Sequence, residues 1–287
     1  MELGTLAQLN WFPGHMAKAK RIIMDNLKFV DVVVELRDAR IVRSSANPIL
    51  QELIGKKPHL IALNKIDLAD SKVNSKWEAY FASIGKPVVK LNALNGKGIR
   101  QLTDKSNELA KAKTAKFAHL GAKPRNARIM IVGIPNVGKS SLINRLSGSA
   151  SLKTADKPGV TRAKQWIKIK GNLDLLDTPG ILWPKFEDPE VGLNLAFTGA
   201  ISDEVYDIEH AAELLLWKLK DDYAQNIKER YRIEEFPQTS NELFTKVGQK
   251  RGFLQKGGIV DGEKTAIAIL KDFRSGKLGQ ISLEEPV

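Results

Sequence analysis

Gly133-Ile134-Pro135-Asn136-Val137-Gly138-Lys139-Ser140 follows the spacing G-x-x-x-x-G-K-[ST]. Glycines at those places let the backbone wrap closely round an anion. Successive N–H groups and the start of a following helix then supply partial positive charge. This is the chemistry of a di- or triphosphate cradle. In it Lys139 reaches the β- and γ-phosphates and the Ser140 hydroxyl binds Mg²⁺. Val137 and Ser141 are the remaining binding positions of the loop. Asp177-Thr178-Pro179-Gly180 follows an apolar run, Leu173–Leu176. An aspartate at such a strand end is the expected outer-shell Mg²⁺ partner, and the Gly180 N–H is placed to meet the γ-phosphate. Between the two motifs lies Lys157-Pro158-Gly159-Val160-Thr161. A threonine here can hold Mg²⁺ through its hydroxyl and sense the third phosphate through its N–H. Thr154 competes for that role, and Thr161 is preferred.

A second group of residues reads a base. Asn64-Lys65-Ile66-Asp67 follows the apolar run His59–Leu63. The Asp67 carboxylate can accept two hydrogen bonds from guanine, which adenine does not offer, and an unpaired buried acceptor gives discrimination of roughly 10⁴-fold or more. Asn64 braces the phosphate loop, and Lys65 lays its stem along the purine. Asn92-Ala93-Leu94 follows another apolar run, Pro87–Leu91, and places the Ala93 N–H near the guanine oxygen.

The elements that must hold these residues are legible as short β-branched runs at Val30–Leu36, His59–Leu63, Pro87–Leu91, Ile129–Val132 and Leu173–Leu176. Helix-length amphipathic stretches separate most of them, including Ser71–Ile84, Ile99–Ala112 and Lys139–Leu146. Such alternation predicts βαβ units and a mostly parallel sheet, an α/β fold. Lys111–Arg128 is rich in Lys, Ala and Arg and reads as a linker between two halves of that sheet. After Trp183–Pro189 the strand signals fade, and Asp207–Lys220, Asn241–Gln249 and Glu263–Arg274 read as helices. The predicted organisation is an α/β domain over 1–183 and a small all-α domain over 184–287.

Composition narrows the function classes. The chain has 287 residues and no cysteine, so neither a disulfide framework nor a cysteine metal site is available. No run approaches a membrane span, and no secretory leader is evident, so the expected location is the cytoplasm and no membrane partner is expected. Four histidines without a carboxylate cluster make no zinc site. The net charge of +12 favours a polyanionic partner, with a lysine-rich solubilising surface as the plainer alternative. Basic residues cluster at Lys18, Lys20 and Arg21, through Lys111–Lys123, and at Lys246, Lys250, Arg251 and Lys256. Phe253, within the last cluster, either stacks on a base or packs in a core.

The motifs resemble those of Ras-like translation-factor GTPases in altered order. The usual order runs from the phosphate loop through the switch threonine and Asp-x-x-Gly to Asn-Lys-x-Asp and the alanine loop. Here the last two come first. That order resembles the YlqF-type circularly permuted GTPases of bacterial ribosome biogenesis, as do Trp11-Phe12-Pro13-Gly14-His15-Met16, the Asp38-Ala39-Arg40 turn and the ending Asp272–Gly279. The resemblance implies a circularly permuted P-loop GTPase domain with GTP/GDP, Mg²⁺ and K⁺ as ligands. It implies an immature large ribosomal subunit, its RNA and its proteins as partners of a monomeric chain, with hydrolysis triggering release. It also implies a catalytic role for His15, whose alternative is an ordinary surface or capping histidine. Asn136 is implied as a K⁺ holder, against a plain polar loop residue. The position after Asp-x-x-Gly holds Ile181 and Leu182 rather than a water-orienting glutamine. Slow intrinsic turnover is therefore expected, stimulated by the ribosomal particle; the alternative is an RNA-binding scaffold that holds GTP with negligible turnover.

Overall fold

The computed structural model describes residues 21, 23–119, 125–148, 166–169, 171–176 and 188–286. Their contacts divide the chain into two compact units. The first holds the described residues from Arg21 to Ile66, Ser71 to Leu176, and Glu284–Pro286. The second holds Asp67–Asp70 and Asp188–Leu283. The expected division near residue 183 falls outside the described residues.

The first unit is a six-stranded sheet in the order β3-β2-β1-β4-β6-β5, with β1 Val32–Asp38, β2 His59–Asn64, β3 Val88–Lys90, β4 Ala127–Gly133, β5 Trp166–Ile169 and β6 Leu173–Leu176. Every pairing is parallel except β5 with β6. β1 is buried along its whole length and β2 at all but its first residue, as near-continuous apolar strands covered on both faces must be. β4, which leads into the phosphate loop, lies at the centre. Strands earlier in the chain all lie to one side of it and later ones to the other. The carboxyl ends of the parallel strands therefore share one edge, where an open α/β sheet binds its ligands.

Helices α1 (Pro48–Ile54), α2 (Ser71–Ser83), α3 (Ile99–His119) and α4 (Lys139–Ser147) complete the unit. α3 corrects the sequence reading. The stretch from Lys111 to His119 is helix rather than linker, because Leu109-Ala110-Lys111-Ala112-Lys113 are strong helix formers that carry the helix onward. Lys113 fastens the extension by donating to the Val30 carbonyl at 3.0 Å and pairing with buried Asp31 at 3.0 Å. The long helix carries the chain from edge strand β3 back to the centre, packing on β1, β2 and β4.

The second unit is helical: α5 Pro189–Phe197, α6 Ile208–Asp222, α7 Ala224–Tyr231, α8 Ser240–Lys250 and α9 Gly262–Arg274. Side-chain caps start all of them but α7. Asp188 accepts from the Glu190 N–H and Asp207 from the His210 N–H. Thr239 and Glu242 form a reciprocal box at α8, and Asp261 accepts from the Lys264 N–H. α9 packs on α6 and α8 through Leu215, Leu219, Leu243, Val247, Ile269 and Phe273, all buried. The short segment Asp67–Asp70 belongs to this unit. The Leu68 carbonyl accepts from the Ile281 N–H at 2.9 Å, and the Asp70 N–H donates to Ser282 Oγ at 3.1 Å.

Candidate functional site

The phosphate loop grows directly from β4. A Cβ on Gly133 would sit 2.7 Å from the Leu36 carbonyl and 2.9 Å from Val137 Cγ1, so only glycine lets the loop leave the sheet beside β1. Asn136 (φ 56°) and Gly138 (φ 100°) are left-handed and turn the chain into α4. Gly138 caps α4 without any side-chain hydrogen bond, so no side chain competes for the N–H groups of the first turn. Lys139 is half-buried and Ser140 exposed on that turn. With Val137 and Ser141 they stand at a helix N-terminus, where backbone N–H groups favour an anion.

Asn64, at the end of β2, reaches across the end of β1 into the loop. Its Nδ2 donates to the Val137 carbonyl at 2.7 Å, and its Oδ1 accepts from the Ala93 N–H at 3.0 Å. One side chain, 2% exposed, thus joins the phosphate loop to the alanine loop. A Cβ on Gly138 would collide with that same Nδ2. Lys65, left-handed at φ 62°, donates from Nζ to the Asn136 carbonyl at 2.7 Å. The Ala93 N–H, expected to meet a guanine oxygen, here braces Asn64. Asn92 Oδ1 accepts from the Leu94 and Asn95 N–H groups at 2.8 and 3.0 Å, which sets the turn.

Three contributors escaped the sequence reading of the site. Asp38 ends β1, in register with Asn64 of β2, and pairs with Lys65 Nζ at 3.1 Å. It also accepts from Arg40 Nε at 2.9 Å and Nη2 at 2.8 Å. Burial alone would push its carboxyl up, but the charges of Arg40 and Lys65 outweigh burial and hold it well below the usual carboxylate range. The Asp38-Ala39-Arg40 turn was noticed as a motif, yet its partner Lys65 becomes visible only with the strand order. Arg145 of α4 donates to the Leu94 and Ala93 carbonyls and holds the alanine loop. Glu284 returns from the chain's far end. Its carboxylate accepts from the Arg43 N–H at 2.7 Å, the Ser44 N–H at 3.1 Å and the Ser44 hydroxyl, capping the turns that follow Arg40.

Asp67 lies in the helical unit, where its carbonyl accepts from Gln280 Nε2 at 3.2 Å. Phe253 is half-buried, with Arg251 and Lys264 over its ring at 5.8 and 5.0 Å. His15, Lys18, Lys20, Thr154, Thr161, Asp177, Gly180, Ile181 and Leu182 lie outside the described residues. Among the described residues no cluster of three or more His, Cys, Asp or Glu side chains forms a metal site, and no helix is long and apolar enough to cross a membrane.

Residues 128–246 match the family described as "50S ribosome-binding GTPase". Over 278 residues the chain is 48% identical to ribosome biogenesis GTPase A of Bacillus licheniformis, covering 97% of this chain and 98% of that protein. Identity to the same-named protein of Thermotoga maritima is 32%, over 97% and 95% of the two chains. The mouse mitochondrial ribosome-associated GTPase 1 is 35% identical, over 96% and 90%. Among solved structures, GNP-bound YlqF from T. maritima is similar, with a TM-score of 0.63 and 30% identity over 94% of this chain and 98% of that one.

Proposed function

The chain belongs to the ribosome biogenesis GTPase A family and is a GTPase; from that premise we propose that it acts on the immature large ribosomal subunit, binding with GTP and leaving when GTP is hydrolysed. The observation that carries the reading is the Asn64–Lys65 bracket on the phosphate loop, because it ties the residues that read a guanine to those that hold its phosphates. Lys139 and the first-turn N–H groups of α4 hold the β- and γ-phosphates. Asn64 fixes the height of the loop, and Asp67 supplies the guanine-selective acceptor. Mg²⁺, held by Ser140 and Thr161 with Asp177 in its outer shell, would supply charge neutralisation at the phosphates. Thr161 and Gly180 sense the γ-phosphate, and Asn136 holds K⁺. His15 assists the attack of water, because Ile181 and Leu182 offer no group that can orient one.

In this reading residues 1–183 form the GTPase domain and 184–287 a ribosome-directed helical domain. The partners are ribosomal RNA and ribosomal proteins, the location is the cytoplasm, and the protein is a monomer. Support comes from the relatives' names and from the charge of +12. The test is GTP turnover in K⁺ and in Na⁺ buffer, with and without purified large subunits. Strong stimulation by the subunits, greater in K⁺, is expected, and His15→Ala should remove the stimulation while leaving GTP affinity intact. Turnover that ignores the subunits refutes the ribosome-coupled cycle and favours a GTP-liganded scaffold.

A further inference from the structure

Asn64 and Lys65 are held by the α/β unit, whereas Asp67, two residues further on, is held by the helical one. The segment Gln280–Ser282 holds it. Gln280 Nε2 donates to the Asp67 carbonyl at 3.2 Å, and the Ile281 N–H donates to the Leu68 carbonyl at 2.9 Å. The Asp70 N–H donates to Ser282 Oγ at 3.1 Å. Three consecutive residues thus grip Asp67, Leu68 and Asp70 by the backbone, and Ala69 between them is buried. The Asp67 side chain is treated differently. The residue is exposed, and among the described residues its carboxylate meets neither a cation nor a hydrogen-bond donor. A fixed backbone with an uncommitted acceptor suits a group kept for a ligand, because less freedom is lost when the ligand arrives.

The gripping segment is itself clamped within the helical unit. Tyr223 stands in the corner between α6 and α7. Its hydroxyl donates to the Ser282 carbonyl at 3.2 Å, and the same oxygen accepts from the Ser282 N–H at 3.0 Å. One side chain therefore satisfies both backbone groups of one residue. Asn226 of α7 donates from Nδ2 to the Leu278 carbonyl at 2.7 Å. Gly279 is left-handed at φ 92°, and a Cβ there would collide with that Nδ2, so glycine is what lets the segment run so close to α7. Ile281 and Ser282 are 1% and 8% exposed, which shelters these hydrogen bonds from water. An unbroken series of contacts runs from the α6–α7 corner to the residue that carries the carboxylate.

We propose that Tyr223, Gln280 and Ser282 are positioning residues for guanine recognition, keeping Asp67 where its carboxylate meets the base. The inference rests on the reading that Asp67 accepts from guanine, and adds what holds it in place. The base itself supplies a discriminating test. Guanine offers the carboxylate two donors, a ring N–H and the 2-amino group. Hypoxanthine keeps the ring N–H and lacks the amino group. Xanthine carries a carbonyl oxygen in its place, which a carboxylate repels. A loss of fold weakens all three alike, whereas a displaced Asp67 separates them. The full chain is titrated by calorimetry, with Mg²⁺, against the diphosphates of guanosine, inosine and xanthosine. Gln280→Ala with Ser282→Ala should weaken GDP about tenfold and inosine diphosphate, which makes one of the two bonds, about threefold. Xanthosine diphosphate should bind no more weakly than to wild type. Tyr223→Phe, which withdraws the clamp, should give the same ranking. Gln280→Ala alone alters an exposed side chain and should narrow the preference for GDP over inosine diphosphate about twofold, which keeps the test decisive if the pair does not fold. In an Asp67→Ala chain that preference should vanish, and adding the Gln280 and Ser282 changes should alter nothing further. Equal losses for all three diphosphates, or no loss, overturn the inference and leave the segment a folding element. A preference for GDP that survives Asp67→Ala overturns the reading of Asp67 itself, and this inference with it.

Discussion

Asp38→Asn removes one negative charge from a place where two cations converge, without changing the size of the side chain. Arg40 keeps one carbonyl acceptor and loses its second charged one; Lys65 keeps the Asn136 carbonyl and loses its counter-ion. Removing one partner of a buried pair costs roughly 3–5 kcal/mol, and the retained acceptor brings the expected loss of folding stability to about 2–3 kcal/mol. Lys65 then holds one of its two anchors. One charge-assisted hydrogen bond is worth roughly 1.5–3 kcal/mol, and the lower figure corresponds to about tenfold weaker nucleotide binding. The lysine addresses the base, which GDP and GTP share, so both affinities should fall by the same factor. Fluorescent GDP and GTP analogues titrated against the variant, beside a urea unfolding curve, measure the two effects separately. Lys65→Met should give a similar loss, and the double variant should lose little more than the worse single one, since both act on one contact. Reduced stability with both affinities within about twofold of wild type would refute the argument and leave Asp38 a folding residue. A fall for GTP alone would place its influence at the phosphates instead.

Gly138→Ala forces a left-handed alanine against Asn64 Nδ2, and should weaken GTP and GDP binding about 100-fold or more in the same titration. Glu284→Ala takes the carboxylate away from the Arg43 N–H and from buried Ser44 and should cost about 2–4 kcal/mol by urea unfolding; an unchanged midpoint would show that the turn holds itself. Glu35 is buried, which raises its carboxyl, but Arg37, His59 and the Asn47 N–H bring it down from 4.5 to about 2. A depressed carboxyl stabilises the fold fully above its unfolded value of about 4.5 and loses that contribution as pH falls towards 2. Acid unfolding should therefore steepen in that window, by about 3 kcal/mol for this group, and Glu35→Gln should flatten it; equal pH slopes for both proteins would refute the assignment.

Local signals were readable and distant ones were not. The phosphate loop and Asn64-Lys65 could be found in the sequence because each is contiguous and follows an apolar strand. β4 and β2 lie where the sequence puts them, and the sheet is mostly parallel as expected. β5 was missed because Lys168 interrupts the short apolar run Trp166–Ile169, where Leu173–Leu176 ends on two leucines. α7 was missed because Ile227 and Tyr231 are the only residues it buries, one turn apart in a polar octet. The linker reading at Lys111 failed because a lysine-alanine composition serves exposed helix as well as loop. Asp38 and Lys65 are 27 residues apart and meet only through the β1–β2 register. Glu284 and Ser44, 240 residues apart, share no pattern that a single sequence displays.

Glu284 also bears on when the protein becomes finished during its own synthesis. The α/β unit takes a capping carboxylate from Glu284, which follows the whole helical unit in the sequence. A growing polypeptide emerges from its N-terminus, so Asp38, Lys65 and the phosphate loop are all made long before that cap exists. The helical unit likewise holds a short early segment, Asp67–Asp70, which waits for Ile281 and Ser282. The α/β unit thus gains this cap only after the residues of the helical unit have been made.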